Sequence, residues 1–596
     1  MSTADPHSFA RPDEARVVHV DVDLEVDFEA RRLSGRVALD LEVAPGAARL
    51  LLDTRDLEIE RVTSGDGAPL AHRLGPRDPI LGAPLAVEIG QARRVIIHYR
   101  TGEDASALDW LAPSQTAGGE HPFLFTQGHA IETRSYLPLQ DSPRVRITYD
   151  ARIVVPDGLV AVMSAARVHP KSEAPAGKRA FAFEMREPIP PYLVALAVGD
   201  IGFRAIGPRT GVFAEPSMLD RAAWELGELE DIVAAAEALL GPYRWGRFDV
   251  LVMPPSFPYG GMENPRLTFA SPSLLAGDRS LVTVIAHELA HAWAGNLVTN
   301  ATWNDFWINE GTTVYLELRL NEALWGTERA TLLRVFGARE LDAEVRRQGP
   351  TAPDTRLRYD MRGRNPAEGV TVIPYLKGAA FFWALEAEVG RPRLDAWLRG
   401  WFERRAFTSV TTDDLLADLR EHLLGASGGS IDDALWIDAP GAPSAEDLPT
   451  STLLLAIEDA VRRFVANEPI ASLGVVGLAP QATRHFLTAL AETSPSSARL
   501  AELDAHVGYS ESRNAEVLFA WLRLAARSKH DPALPVIEAF LLSQGRGKFL
   551  RPLYAALLES PWGEATARRT YAAARPRYHA VVRRALDALF EAPRTA

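Results

Sequence analysis

Residues 280–320 read SLVTVIAHELAHAWAGNLVTNATWNDFWINEGTTVYLELRL. His287 and His291 stand four apart, with Glu288 directly after the first. On a helix that spacing puts both imidazoles on one face. Glu310, inside N-E-G, opens a second helical pattern running from Glu310 to Leu320, and the loop between lets the two helices pack antiparallel. Two nitrogens and one carboxylate oxygen, with a fourth position open, describe catalytic rather than structural zinc.

H-E-x-x-H alone is moderately specific, because a solvated helix face can carry the same letters. The flanks Val282, Val284, Ile285, Leu289 and Trp293 are apolar, so this helix belongs in a core. Two His and a Glu buried there without a metal or partners would be costly. Glu288 points about 100° away from His287 around the helix. It is expected beside a zinc-bound water, acidified by the metal to a pKa of about 7. From there it takes the proton and returns it to a leaving amine. Glu317, seven residues past Glu310, shares its face and is the candidate acceptor for a ligand histidine's second N–H. An ordinary surface glutamate is the competing reading.

Outward from this stretch the chain divides by pattern. Val20, Val22, Leu24 and Val26 alternate with acids, the period of a half-buried strand, and Val37, Leu39, Leu41 and Val43 repeat it. Little helical periodicity appears before about residue 200. Residues 219–240 read as one long helix, VLVMPP at 250–255 as a buried strand, and helical text continues to about 423. The Gly-, Ser- and Pro-rich stretch 425–450 reads as a linker. After it the pattern is almost wholly helical, with Leu453, Leu454, Ile457, Val461 and Phe464 on one stripe. The expectation is a β domain at 1–203, an α/β catalytic domain at 204–424, the linker, and a helical domain at 451–596.

The 596 residues are 47% hydrophobic and 24% charged, ordinary globular values for a chain of several domains. A net charge of −14 with no basic domain argues against a nucleic-acid partner. No cysteine is present, so any metal rests on His, Asp or Glu. No signal-peptide pattern or transmembrane run is found, and the expectation is a cytoplasmic protein without a membrane partner.

H-E-L-A-H at 287–291, N-E-G at 309–311 and G-G-M-E-N at 260–264 together resemble the M1 family of gluzincin aminopeptidases, that of aminopeptidase N. The chain is most similar to the branch of leukotriene A4 hydrolase and its bacterial relatives. TQGHAIETRSYLPLQDSP at 126–143, PYLKG at 374–378, WIDAPGAP at 436–443 and QGRGKFLRPLY at 544–554 carry that likeness along nearly the whole chain. The resemblance implies a multidomain α+β fold: an N-terminal β-saddle, a thermolysin-like catalytic domain and a C-terminal all-α, armadillo-like solenoid. It implies one zinc per chain on His287, His291 and Glu310, with a monomer as the expected state.

By the same resemblance, Glu263 binds the free amine of the substrate. Gln127, Gly260, Gly261 and Met262 line the peptide's path, and Tyr375 donates to the oxyanion. Arg546 and Lys548 receive the C-terminal carboxylate of a short peptide. Lysine is rare in the chain, so Lys377 and Lys548 stand out, with a helix-terminal surface role as the plainer reading.

Three positions depart from the pattern. His129 replaces the second Gln of Q-x-Q-A, and neutral imidazole can accept from an ammonium where imidazolium would repel it. Ala367 and Val370 replace the Asp and Tyr of the epoxide hydrolase, with Glu368 adjacent as a possible substitute. The leading expectation is a zinc aminopeptidase acting on short peptides. The alternatives are a bifunctional leukotriene A4 hydrolase-type epoxide hydrolase and aminopeptidase, and a catalytically silent binding protein. The missing Asp and Tyr count against the first, and the complete motif set against the second.

Overall fold

The computed structural model describes residues 5–170, 173–425, 431–442 and 451–591. The alternating N-terminal stretch forms the strand Ala15–Asp27, with Val20, Val22, Leu24 and Val26 all buried. It lies mid-sheet, antiparallel to Arg32–Val43 and parallel to Ile147–Pro156. Its sheet has seven strands, and smaller sheets of three and four strands complete the N-terminal domain.

A five-stranded sheet follows, in which Thr210–Ala214, Phe248–Val252 and Leu267–Ala270 run parallel. Phe248–Val252 is buried throughout, as a strand covered on both faces must be. Gly202–Ala205 already belongs to this sheet, so the proposed division after residue 203 falls inside that strand. The short strand Gly261–Met262 forms the other edge and pairs antiparallel with Phe269–Ala270.

The text at 219–240, read as one helix, is two: Pro216–Glu225 and Leu229–Leu240. The break falls around Gly227, the weakest helix former there, where Arg279 folds back to bond the Trp224 carbonyl at 3.0 Å and Glu228 at 2.9 Å.

The helices Thr283–Ala290 and Trp307–Trp325 pack together beneath the sheet, both largely buried. A single π-helical turn, Ile373–Lys377, runs directly into the helix Gly378–Val389. Helix 307–325 crosses this element at two glycines. A Cβ on Gly311 would lie 2.5 Å from the Gly378 Cα. The glycines of N-E-G and PYLKG therefore permit one backbone contact, which sets Glu310 beside Tyr375.

Residues 426–430 and 443–450 of the expected linker lie outside the described residues. The part between them is fastened down. The Ile437 carbonyl accepts from the Leu357 and Arg358 amides at 3.2 and 3.1 Å. Lys377 is fully buried, not a surface side chain, and donates to the Thr355 and Ala439 carbonyls at 3.0 and 2.9 Å.

The C-terminal domain is all helical, from Thr452–Val465 to Ala580–Glu591, around a hydrophobic cluster that also takes in Leu332 and Val335 of the helix Thr327–Gln348. One continuous cluster spans the N-terminal and catalytic domains instead. Among the described residues no helix is long and apolar enough to cross a membrane.

Candidate active site

Helix 283–290 presents His287 on its exposed side, and His291 follows at its C-terminal end. Their Nε2 atoms are 3.3 Å apart. Glu310 Oε2 lies 3.7 Å from His287 Nε2 and 3.5 Å from His291 Nε2. That oxygen is buried and has no hydrogen-bond partner among the described residues. An orphaned carboxylate oxygen facing two imidazole nitrogens is costly unless a cation completes the group.

The opposite edges of both rings are occupied. His287 Nδ1 lies 3.0 Å from Glu317 Oε2. His291 Nδ1 lies 2.9 Å from the Ala294 carbonyl, which also accepts from the Thr313 hydroxyl at 3.0 Å. A carbonyl and a carboxylate only accept, so each Nδ1 carries a hydrogen, and the neutral form of each ring leaves its Nε2 lone pair for a cation beside Glu310. The residues present therefore fit a zinc ion. Thr313 carries no sequence motif and could not have been picked out by spacing.

Glu288 is 7% exposed and points to the strand 261–262. A Cβ on Gly261 would overlap its carboxylate, so any larger residue there would push the Glu288 side chain from this position. Burial pushes Glu288 up to about 7, with Glu263 and Glu310 adding to the rise. Ligand atoms of Glu263, Glu288 and His291 lie within 4.8 Å of one another. The sequence thus assembles two carboxylates beside the metal-fitting group, a local excess of negative charge. Tyr375 stands over the other side, its ring stacked on His287 at 6.4 Å and edge-on to Phe306 at 5.9 Å. Burial raises its phenol well above the ordinary value, so it remains a donor.

Gln127 donates from Nε2 to the Met262 sulfur at 3.4 Å, while its buried Oε1 has no partner among the described residues. His129 is walled by Trp303 at 4.7 Å, Phe306 at 5.5 Å and Tyr192 at 5.7 Å. Burial lowers its pKa below the ordinary 6.5, with Glu263 and Glu310 acting in the opposite direction. Trp303 and Phe306 carry no motif either, and only the fold brings them to His129.

The far end of the cleft is built by the C-terminal domain. A Cβ on Gly260 would lie 2.7 Å from an Arg546 terminal nitrogen, and the strip before it is flanked by Gly545, packed onto Ser256. Phe257, in that strip, meets Phe125 of the N-terminal domain at 5.4 Å. All three domains thus hold residues 254–262. Lys548 is bonded at 2.7 and 2.9 Å to both oxygens of Glu516, which also meets Arg546 at 3.4 Å and Arg484 at 3.3 Å. Glu516 and Arg484 were not singled out in the sequence, because they stand on other helices and share no motif with 544–554.

Ala367 and Val370 lie at the exposed surface of the loop before the π-helical turn. Glu368 caps that loop at the Asn365 amide (3.3 Å) and meets Arg364 at 3.5 Å, turned to solvent. It does not stand in for the absent Asp.

Three family descriptions match the chain: Peptidase M1 N-terminal domain at residues 17–193, Peptidase family M1 domain at 225–435, and Leukotriene A4 hydrolase, C-terminal, at 478–590. The leukotriene A-4 hydrolase of Xenopus laevis is 37% identical over 571 residues, covering 93% of this chain and 94% of that protein. Human aminopeptidase B is 36% identical over 609 residues, covering 95% and 93%. The structure of yeast LTA4 hydrolase in complex with bestatin superposes with a TM-score of 0.91 at 30% identity, covering 99% and 98% of the two chains. An M1 zinc metallopeptidase of Deinococcus radiodurans shares the fold at 21% identity, with a TM-score of 0.59 over 74% of this chain and 96% of that one.

Proposed function

The chain belongs to peptidase family M1 and is a metallo-aminopeptidase with a zinc cofactor, and from that premise we propose that it releases N-terminal residues from short peptides. One observation carries the exopeptidase reading: the Glu263 carboxylate lies within 4.8 Å of ligand atoms of both Glu288 and His291. A substrate ammonium held by Glu263 leaves only the first peptide bond within reach of Glu288. The unpartnered Gln127 Oε1 is a further acceptor for that ammonium.

His287, His291 and Glu310 would hold the zinc. When bound, the ion supplies Lewis acidity, acidifying the attacking water and polarising the scissile carbonyl. An extended peptide pairs along the free edge of strand 261–262. Glu288 takes the proton of the attacking water on its carboxylate and delivers it to the leaving nitrogen. Its elevated pKa suits a group that must both accept and give. Tyr375 donates its phenolic hydrogen to the oxygen on which negative charge develops. Arg546, against Gly260 at the far end of the strip, takes the C-terminal carboxylate of a peptide short enough to reach it. Lys548 holds Glu516, which also meets Arg546, and so steadies that guanidinium.

The test is hydrolysis of aminoacyl-p-nitroanilides covering Ala, Leu, Arg, Lys and Pro, with and without zinc chelation. Activity is expected to vanish on chelation and return with zinc. Full activity in the metal-depleted protein would contradict the proposal. The second reading, epoxide hydrolysis of a lipid, has the relatives' names in its favour and Ala367, Val370 and the outward Glu368 against it.

A further inference from the structure

Arg146 immediately precedes the N-terminal-domain strand Ile147–Pro156, and its guanidinium crosses into the catalytic domain. Nε and one terminal nitrogen donate to the Pro188 carbonyl at 3.0 and 2.8 Å. That terminal nitrogen also donates to the Asn296 carbonyl at 2.6 Å, and the other donates to Thr299 Oγ1 at 2.7 Å and the Thr408 carbonyl at 3.4 Å. All five N–H groups are used, and among the described residues none of their acceptors is a carboxylate. A salt bridge does not explain this residue. A fixed planar fork spanning several acceptors does, which a lysine ammonium cannot reproduce.

The clamped turn touches the site twice. The Ala294 carbonyl fixes His291 Nδ1, and the Asn296 amide nitrogen donates to the His291 carbonyl at 2.9 Å. The Asn296 side chain donates to the Glu263 carbonyl at 2.8 Å. Thr299, on which Arg146 also rests, donates to the Gly295 carbonyl at 2.5 Å. One turn therefore sits between a metal-fitting histidine and the carboxylate proposed to hold the substrate amine, and a side chain from another domain grips it.

We propose that Arg146 is a positioning residue through which the N-terminal domain sets both His291 and Glu263. The Glu263 half rests on the aminopeptidase reading above, whereas the His291 half does not. Without the guanidinium the turn loses its anchor, His291 samples orientations that bind the metal less well, and the Glu263 backbone shifts from where the ammonium sits. Outer partners of metal-binding histidines typically change metal affinity about 10- to 100-fold. Arg146 acts one link further out, so the low end is expected.

The test compares wild type with Arg146→Met, Arg146→Lys, Asn296→Ala and the Arg146→Met/Asn296→Ala pair. Zinc affinity of the apo-protein is read by competition with a chromophoric chelator, and kcat and KM are read on leucine p-nitroanilide at saturating zinc. Arg146→Met is expected to weaken zinc binding about 10-fold and to raise KM several-fold, with kcat within about threefold of wild type. In the Asn296→Ala background its effect on KM should largely disappear, because both act along one path. A folded Arg146→Met with wild-type zinc affinity and KM overturns the proposal, as does an undiminished KM effect in the double variant. If Arg146→Met does not fold, Arg146→Lys is read in the same assays. Intermediate weakening supports the clamp, and wild-type values overturn it. If the wild type hydrolyses no anilide, the aminopeptidase reading fails while the zinc measurement still decides the clamp.

Discussion

Glu317 Oε2 lies 3.0 Å from His287 Nδ1, and this contact turns the ring so that Nε2 faces Glu310. The two glutamates lie on one helix, 307–325, two turns apart, and act on opposite edges of the same imidazole. Glu317→Gln keeps the shape but offers a weaker acceptor, and Glu317→Ala removes it. Zinc affinity should fall about 10-fold for the first and up to about 100-fold for the second, measured by chelator competition. Unchanged affinity in both would make Glu317 an ordinary surface acid.

Arg546 and Lys548 should not be equivalent. Arg546 abuts Gly260 in the cleft, whereas Lys548 is occupied by both oxygens of Glu516. Arg546→Ala should lower kcat/KM for a tripeptide with a free carboxylate about 10- to 100-fold. It should leave anilide hydrolysis within about threefold, because an anilide has no carboxylate to lose. Lys548→Ala should have the smaller effect on the tripeptide. The reverse order would mean that Lys548 meets the substrate directly.

If His129 accepts from the substrate ammonium, the sign of the resulting pH dependence follows from its environment. Burial lowers its pKa, so it stays neutral to below the ordinary value of 6.5. As pH falls through that lowered pKa, an imidazolium forms beside a substrate ammonium and KM should rise. His129→Gln carries no such charge, and its KM should rise less as pH falls below 6.5. Parallel KM profiles of the two proteins for leucine p-nitroanilide would exclude this role.

The proton path predicts a separation of binding from chemistry. Glu288→Gln should lower kcat about 10²- to 10⁴-fold. Tyr375→Phe should lower it about 10²- to 10³-fold by removing one oxyanion donor. Neither should change zinc affinity more than a few-fold, because neither is placed as a ligand. A variant that loses zinc and activity in parallel would reassign its residue to the metal.

The central stretch was legible because its chemistry is local. His287, Glu288 and His291 lie within two turns of one helix, and the apolar flanks announced its burial. Glu310 and Glu317 followed from helical periodicity. The β-strand text was equally clear, since Val20 to Val26 alternate as the pleat demands. What stayed hidden was the long-range pairing. Nothing near Arg546 in sequence points to Glu516 or Arg484, and nothing near Arg146 points to the turn at 294–299. The break at Gly227 was missed because apolar spacing continues through it, and Arg279 supplies the competing contact from far along the chain. The glycines of N-E-G and PYLKG were read as motif letters, and only the crossing of Gly311 on Gly378 gives them a physical cause.

The central claim is that Glu263 decides which bond Glu288 reaches. The most direct measurement incubates the zinc-loaded protein with a tripeptide and with its N-acetylated form, and identifies products by mass spectrometry over time. The account predicts release of the first residue alone from the free peptide and no cleavage of the acetylated one. It also predicts that Glu263→Ala raises KM for the free peptide by more than about tenfold while zinc stays bound. Cleavage of the acetylated peptide at a comparable rate, or cleavage at an internal bond first, would contradict it.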